Sequence, residues 1–159
     1  MGARDSSTVS AGWAAADITP SRTSELYGQY YQRVAEGFRD PLSVTALALE
    51  QQCEDAKFGQ ALLVSCDQGM VDRDLLETVR GRLAAAVPDF DPSRLVISAT
   101  HTHNAPSSFD PLKWWKHDPA FLSFEEYRTV LIDAVAAASD TVSPAFRTCP
   151  RITVPSSGA

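Results

Sequence analysis

An apolar segment, a helical pattern and a second apolar segment follow one another within residues 61–99, and this order limits the folds open to the chain. Residues 61–66 (ALLVSC) are continuously apolar, as in a strand covered on both faces, and residues 95–99 (LVISA) form a similar strand. Apolar residues recur at helical spacing from 71 to 87, which predicts a helix that buries Leu76, Val79 and Leu83 against the sheet. A strand–helix–strand unit implies parallel strands. The sequence therefore predicts an α/β fold with a mainly parallel or mixed sheet and flanking helices.

Further elements lie on both sides of this unit. Residues 11–18 and 42–50 have strand composition, and Ser123 with Glu126 forms a capping box that opens a helix. The apolar face of that helix is predicted to consist of Tyr127, Val130, Leu131, Ala134, Val135 and Ala138. Residues 1–10 are small and polar and are predicted to be a disordered tail.

Composition and charge exclude several partners. A chain of 159 residues, 44% of them hydrophobic, is long enough for one domain with its own core. The formal net charge of −6, without a Lys/Arg cluster, argues against nucleic acid or an anionic membrane surface as a partner. No apolar stretch approaches the ~20 residues of a transmembrane segment. Without a signal-peptide pattern, we expect a cytoplasmic location.

Two of the three histidines, His101 and His103, directly follow the strand 95–99. Side chains at i and i+2 of an extended segment project to the same side, so both imidazoles can converge on one metal ion. Alternatively, one binds the ion while the other faces a substrate. Zinc accepts imidazole nitrogen readily. The other interpretation is structural, with histidines that cap backbone groups or face solvent.

Other residues could contribute to a site at this edge of the sheet. Asp67 follows the strand 61–66 and is a weaker candidate for orienting a ligand histidine. The aromatic, glycine-punctuated segment 21–40 is either a functional loop or a cover for the sheet edge. Trp114 and Trp115 form either a lipid-facing lip or buried anchors. His117 is interpreted as a surface histidine.

Five blocks of the sequence occur in a characteristic order, at residues 11–20, 28–42, 46–50, 64–67 and 97–103. The most specific block is Ser98-Ala99-Thr100-His101-Thr102-His103. In this order the blocks resemble the start of the neutral/alkaline non-lysosomal ceramidases, and the resemblance extends over residues 11–145. It implies that residues 11–145 form the N-terminal part of a ceramidase-like catalytic domain.

The resemblance also implies an activity. Members of this family are zinc-dependent amidases that hydrolyse the N-acyl bond of ceramide to a fatty acid and sphingosine. Matched to the family motif, His101 is a zinc ligand and His103 is a catalytic residue that faces the substrate. The implied cofactor is one Zn²⁺ ion, and the implied partner is a lipid-like N-acyl amide.

Two departures from the family qualify this expectation. The motif continues here as Asn104-Ala105-Pro106, where family members have Ser-Gly-Pro. The family's other zinc ligands, a second His, a Glu and a Tyr, lie far downstream, and residues 146–159 have an irregular sequence that departs from the family. We therefore expect an N-terminal portion that is inactive alone. The alternative is a non-catalytic remnant or a binding or scaffold module.

Overall fold

Five strands form one mixed sheet. They are β1 (Thr8–Asp17), β2 (Ser43–Gln52), β3 (Gly59–Cys66), β4 (Leu95–Ala99) and β5 (Arg151–Thr153). The computed structural model describes residues 8–52, 59–109, 117–142 and 151–153. Across the sheet the order is β4-β3-β2-β1-β5, with β3 and β4 parallel and the other pairs antiparallel. The predicted α/β class, the mixed sheet and the parallel pair are thus confirmed.

Both predicted tails contain a piece of strand. β1 begins at Thr8 rather than at residue 11, so the prediction of a tail over residues 1–10 is wrong for its last three residues. The prediction of an irregular tail over residues 146–159 is wrong for β5, which pairs with β1 through Val9 and Ile152. Pairing uses backbone groups at a sheet edge, and composition does not reveal it. The other residues of both tails lie outside the described part.

Two helices cover one face of the sheet. α1 (Arg73–Ala86) buries Leu75, Val79 and Leu83, and α2 (Phe124–Val142) begins at the predicted capping box. The buried stripe of α2 consists of Tyr127, Leu131, Ile132, Val135 and Ala138, while Ala134 is partly buried against it. The prediction that Val130 belongs to this stripe is wrong, because Val130 lies at its margin and is 41% exposed. Neither helix is long and apolar enough to cross a membrane, as judged on the described residues.

The opposite face of the sheet carries an exposed apolar row. Trp13, Leu47, Leu63 and Val96 are direct neighbours on adjacent strands. They are 73%, 37%, 40% and 56% exposed, respectively. The prediction that β3 is covered on both faces is therefore wrong within the described residues, where the helices cover only one side.

An ion pair joins the start of α1 to α2. Asp72 is the N-cap of α1, and its Oδ1 accepts a hydrogen bond from Leu75 N at 2.8 Å. Arg128 of α2 donates to both carboxylate oxygens of Asp72, at 2.6 and 2.8 Å. The hydrogen bond from Arg128 is the main cause that lowers the pKa of Asp72, with the Leu75 N–H also contributing. This carboxylate therefore stabilises the folded state in its charged form.

Replacing Asp72 by Asn tests this contribution. Asn keeps a good N-cap but removes the charge, so we expect a loss of about 1 kcal/mol in unfolding free energy at pH 7. Because the folded pKa is lowered, the contribution is present above the usual Asp pKa and is lost as pH falls through the folded value. Urea unfolding of both proteins at pH 7 and pH 3 should show the difference shrinking in acid. Asp74→Asn, in the same helical turn, is the control and should show a smaller difference.

Candidate active site

The two histidines lie at the edge of the sheet where the parallel strands β3 and β4 end. β4 ends at Ala99, and Thr100 then donates its backbone N–H to Cys66 O at 2.9 Å. This bond keeps the segment that leads to the histidines beside the end of β3. Ligand sites of open α/β sheets lie beyond the carboxyl ends of the strands. His101 and His103 therefore occupy the edge that the sequence predicts.

His101 has an unusual backbone and a fixed imidazole. Its φ of 62° lies in the left-handed region, where it is the sole non-glycine among the described residues. Its Nδ1 lies 2.6 Å from Gly69 O. A carbonyl oxygen can only accept, so Nδ1 carries the proton and Nε2 keeps a free lone pair. This is the arrangement that outer-shell carbonyls give to histidines that bind metals.

The two imidazoles approach each other through the same nitrogen. His103 Nε2 lies 3.5 Å from His101 Nε2, and the ring centroids are 5.0 Å apart. Two ligands of one tetrahedral zinc, each with a Zn–N distance of 2.0–2.1 Å, lie roughly 3.3–3.4 Å apart. The pair can therefore hold one ion together, or one imidazole can bind the ion while the other contacts a group beside it.

The loop between β1 and β2 is fastened to the histidine segment. Tyr27 donates its backbone N–H to Ala105 O at 3.0 Å. Arg33 donates from Nη1 to His103 O and from Nη2 to Asn104 Oδ1, both at 3.1 Å. The segment 21–40, for which the sequence left two interpretations open, thus forms one wall of the site.

A tyrosine of this loop lies among the aromatic rings of the site. The Tyr27 ring is edge-to-face with His101, His103 and Phe109, at centroid distances of 6.2, 5.7 and 5.5 Å. Tyr31, four residues further along the loop, is 63% exposed. The sequence points to an aromatic loop but does not distinguish the tyrosine that enters the site.

The residues at the end of β3 have structural contacts. Asp67 Oδ2 accepts hydrogen bonds from the backbone N–H and the hydroxyl of Ser43, at 2.9 and 3.0 Å. The Gly69 carbonyl, and not Asp67, is the partner of His101 Nδ1, so the prediction that Asp67 orients a ligand histidine is wrong for His101. Burial raises the pKa of the Cys66 thiol to about 12, which makes Cys66 an unreactive core residue, as expected from its apolar run.

The third histidine lies at the surface, as predicted. The His117 side chain is 40% exposed, and its Nδ1 lies 3.5 Å from Oε2 of the largely buried Glu25. Trp114 and Trp115 lie outside the described residues, so the prediction of a lipid-facing lip stays untested.

The histidine pair fits part of a zinc ligand set. Both Nε2 atoms are correctly separated, and the tautomer of His101 leaves its Nε2 free to bind. A catalytic zinc site uses three protein ligands and keeps one position open. Within the part of the chain that the structure describes, no group of three or more His, Cys, Asp or Glu residues could hold a metal ion. A catalytic zinc bound here would therefore need further ligands from outside the described residues.

The fold of this chain has counterparts among solved structures. One is the neutral ceramidase from Pseudomonas aeruginosa, with a TM-score of 0.66 and 19% sequence identity over 88% of this chain. Another, a ceramidase complexed with C2, has a TM-score of 0.64 and 22% identity over 88% of this chain. No protein-family model and no curated protein matches the sequence.

The comparison establishes the fold of this chain as that of one part of the neutral ceramidases. The chain covers 22% of the first ceramidase and 21% of the second. The resemblance noted in the sequence is confirmed at the level of the fold.

Proposed function

We propose that this chain is the part of a ceramidase-like, zinc-dependent amidase that supplies the first zinc ligand and a substrate-contacting histidine. The observation that carries the proposal is the convergence of His101 Nε2 and His103 Nε2, 3.5 Å apart, with the tautomer of His101 fixed by Gly69 O. The fold shared with two ceramidase structures supports the same conclusion.

In this proposal the two histidines have different roles. His101 would bind Zn²⁺ through Nε2, since its Nδ1 is occupied by the Gly69 carbonyl. When bound, zinc supplies Lewis-acid polarisation of an acyl carbonyl and lowers the pKa of a bound water. His103, with Nε2 protonated, would donate a hydrogen bond to the substrate oxygen as negative charge develops there. A long-chain N-acyl amide such as ceramide is the proposed substrate class.

The second candidate is a non-catalytic binding or scaffold module. It is favoured by the incomplete ligand set within the described residues. The two candidates differ in what happens when the remaining ceramidase chain is supplied, because a module without catalytic function would not produce turnover.

Zinc titration of the chain tests the proposed ligand. His101, alone or with His103, offers zinc at most two imidazole nitrogens, so we expect a dissociation constant of about 10⁻⁶ M or weaker by isothermal titration calorimetry. His101→Ala should abolish this binding. His117→Ala, which removes the surface histidine, is the control and should bind like the unchanged chain. Nanomolar, stoichiometric binding that depends on His101 would instead mean that this chain holds a full ligand set.

A chimera tests the proposed reaction. The matched part of the P. aeruginosa neutral ceramidase is replaced by this chain, and hydrolysis of a fluorescent short-chain ceramide is measured with zinc supplied. We expect turnover that is lost in His101→Ala, strongly reduced in His103→Ala and retained in His117→Ala. A folded, zinc-loaded chimera without turnover would contradict the amidase and favour the non-catalytic module.

A further inference from the structure

Tyr27 occupies a central place beside the histidine pair. Its ring meets both imidazoles edge-to-face, and a third edge-to-face contact, with Phe109, supports it from another direction. Aromatic pairs favour this geometry because the positive ring edge meets the negative ring face. The histidines also touch each other, so the three rings form one closed cluster.

Two glycines create the space for this cluster. A Cβ on Gly69 would lie 1.7 Å from Tyr27 Cδ1, so the ring rests directly on the backbone whose carbonyl holds His101. Gly28 has a φ of 97°, and a Cβ there would lie 2.5 Å from His103 Nδ1. The His103 imidazole and the Tyr27 ring are thus packed against bare backbone, at distances that no other residue allows.

The backbone of Tyr27 is joined to the histidine segment by hydrogen bonds. Its N–H is bonded to Ala105 O, and Leu26 N is bonded to Arg33 O at 2.9 Å. Arg33 in turn holds His103 O. The ring is therefore fixed relative to the imidazoles by the backbone on one side and by side-chain packing on the other.

We infer that Tyr27 is a positioning residue that keeps the Nε2 atoms of His101 and His103 converged for metal and substrate. The inference deepens the proposed function and rests on it. The aromatic ring carries this role, since the three contacts of Tyr27 are made by the ring and not by the hydroxyl. A ligand held in place before binding loses less freedom when the ion arrives, and its affinity is higher.

Two substitutions of Tyr27 separate the ring from the hydroxyl. Tyr27→Phe keeps the ring and should leave zinc affinity within twofold of the unchanged chain. Tyr27→Leu removes the ring and should weaken zinc binding about tenfold, the lower end of the effect of losing an outer-shell partner. In proton NMR the His101 Nδ1–H, held by Gly69 O, should give a resolved imidazole resonance in the chain and in Tyr27→Phe. The resonance should disappear in Tyr27→Leu.

Tyr31→Leu is the matched control, because Tyr31 belongs to the same loop and is exposed. It should leave both the affinity and the resonance unchanged. Thermal melts of all variants establish that the compared proteins are folded at the temperature of measurement. Unchanged zinc affinity and an unchanged resonance in folded Tyr27→Leu would overturn the inference.

The readouts separate this inference from the proposed function. Zinc affinity and the imidazole resonance are measured on the chain itself and do not require turnover. An inactive chimera together with a tenfold effect of Tyr27→Leu refutes the amidase and retains the positioning role. An active chimera with no effect of Tyr27→Leu supports the amidase and refutes the positioning role.

Discussion

Leu83→Asp is expected to destabilise the fold by at least about 4 kcal/mol, a large part of the roughly 5–15 kcal/mol that stabilises a typical domain. Leu83 lies on the inner face of α1 and is 2% exposed. The substitution removes a buried apolar side chain and introduces a carboxylate into the core that α1 forms with the sheet. A charge without a partner in such a core carries a large desolvation cost.

The neighbouring residue provides the control for this prediction. Ala84 lies on the same helical turn but is exposed. Ala84→Asp introduces the same charge with only the difference in helix propensity, roughly 0.5 kcal/mol. Urea unfolding followed by circular dichroism measures both variants. A Leu83→Asp protein within 1 kcal/mol of the unchanged chain would contradict the packing of α1 on the sheet.

The elements that could be predicted from the sequence are those in which apolar residues recur at a regular spacing. The strand–helix–strand unit was predicted because apolar residues at helical spacing lie between two apolar runs, and α1 buries Val79 and Leu83 as expected. The prediction named Leu76 as buried, whereas Leu75 is fully buried and Leu76 only partly. Side chains of successive helix residues differ in direction by about 100° around the helix axis. Because Leu75 and Leu76 are both apolar, the sequence pattern fits a helix that turns either of them toward the core.

The contacts between distant segments of the chain could not be predicted from the sequence. β5 has three residues and pairs with the outer edge of β1, a contact made by backbone groups of segments that are far apart in sequence. A continuously apolar run such as β3 looks the same whether one face or both are covered. The apolar run therefore does not reveal that Leu63 is exposed.

Some residues of the candidate site could likewise be predicted from the sequence, and others could not. His101 and His103 follow from a short motif, but the extended segment predicted for them is interrupted at His101, whose φ of 62° is left-handed. Asp67 was a weaker candidate because a carboxylate is a common partner of a ligand histidine. The structure uses a backbone carbonyl for His101, and every residue carries one. The roles of Tyr27 and Gly69 depend on contacts between separate loops, which no local pattern reveals. The zinc cofactor, the ceramide-like substrate and the cytoplasmic location stay predictions.

Gly69→Ala is expected to have the largest effect on the site of any single-methyl change. The added Cβ would lie 1.7, 2.2 and 2.4 Å from three atoms of the Tyr27 ring, so the ring or the backbone of residue 69 must move. Overpacking of this kind costs about 1–3 kcal/mol in stability. The shift also disturbs the contacts that Tyr27 and the Gly69 carbonyl make with the imidazoles, so we expect zinc binding to weaken at least as much as in Tyr27→Leu.

A double-mutant cycle identifies the clash as the cause. In a Tyr27→Leu background the obstructing ring is absent, so Gly69→Ala should cost at least about 1 kcal/mol less stability than in the unchanged chain. Gly81, in α1, has nothing within 4 Å of an added Cβ, and Gly81→Ala should stabilise by up to about 1 kcal/mol. Equal costs of Gly69→Ala in both backgrounds would mean that Tyr27 does not rest on Gly69 and would remove the basis for a preorganised histidine pair.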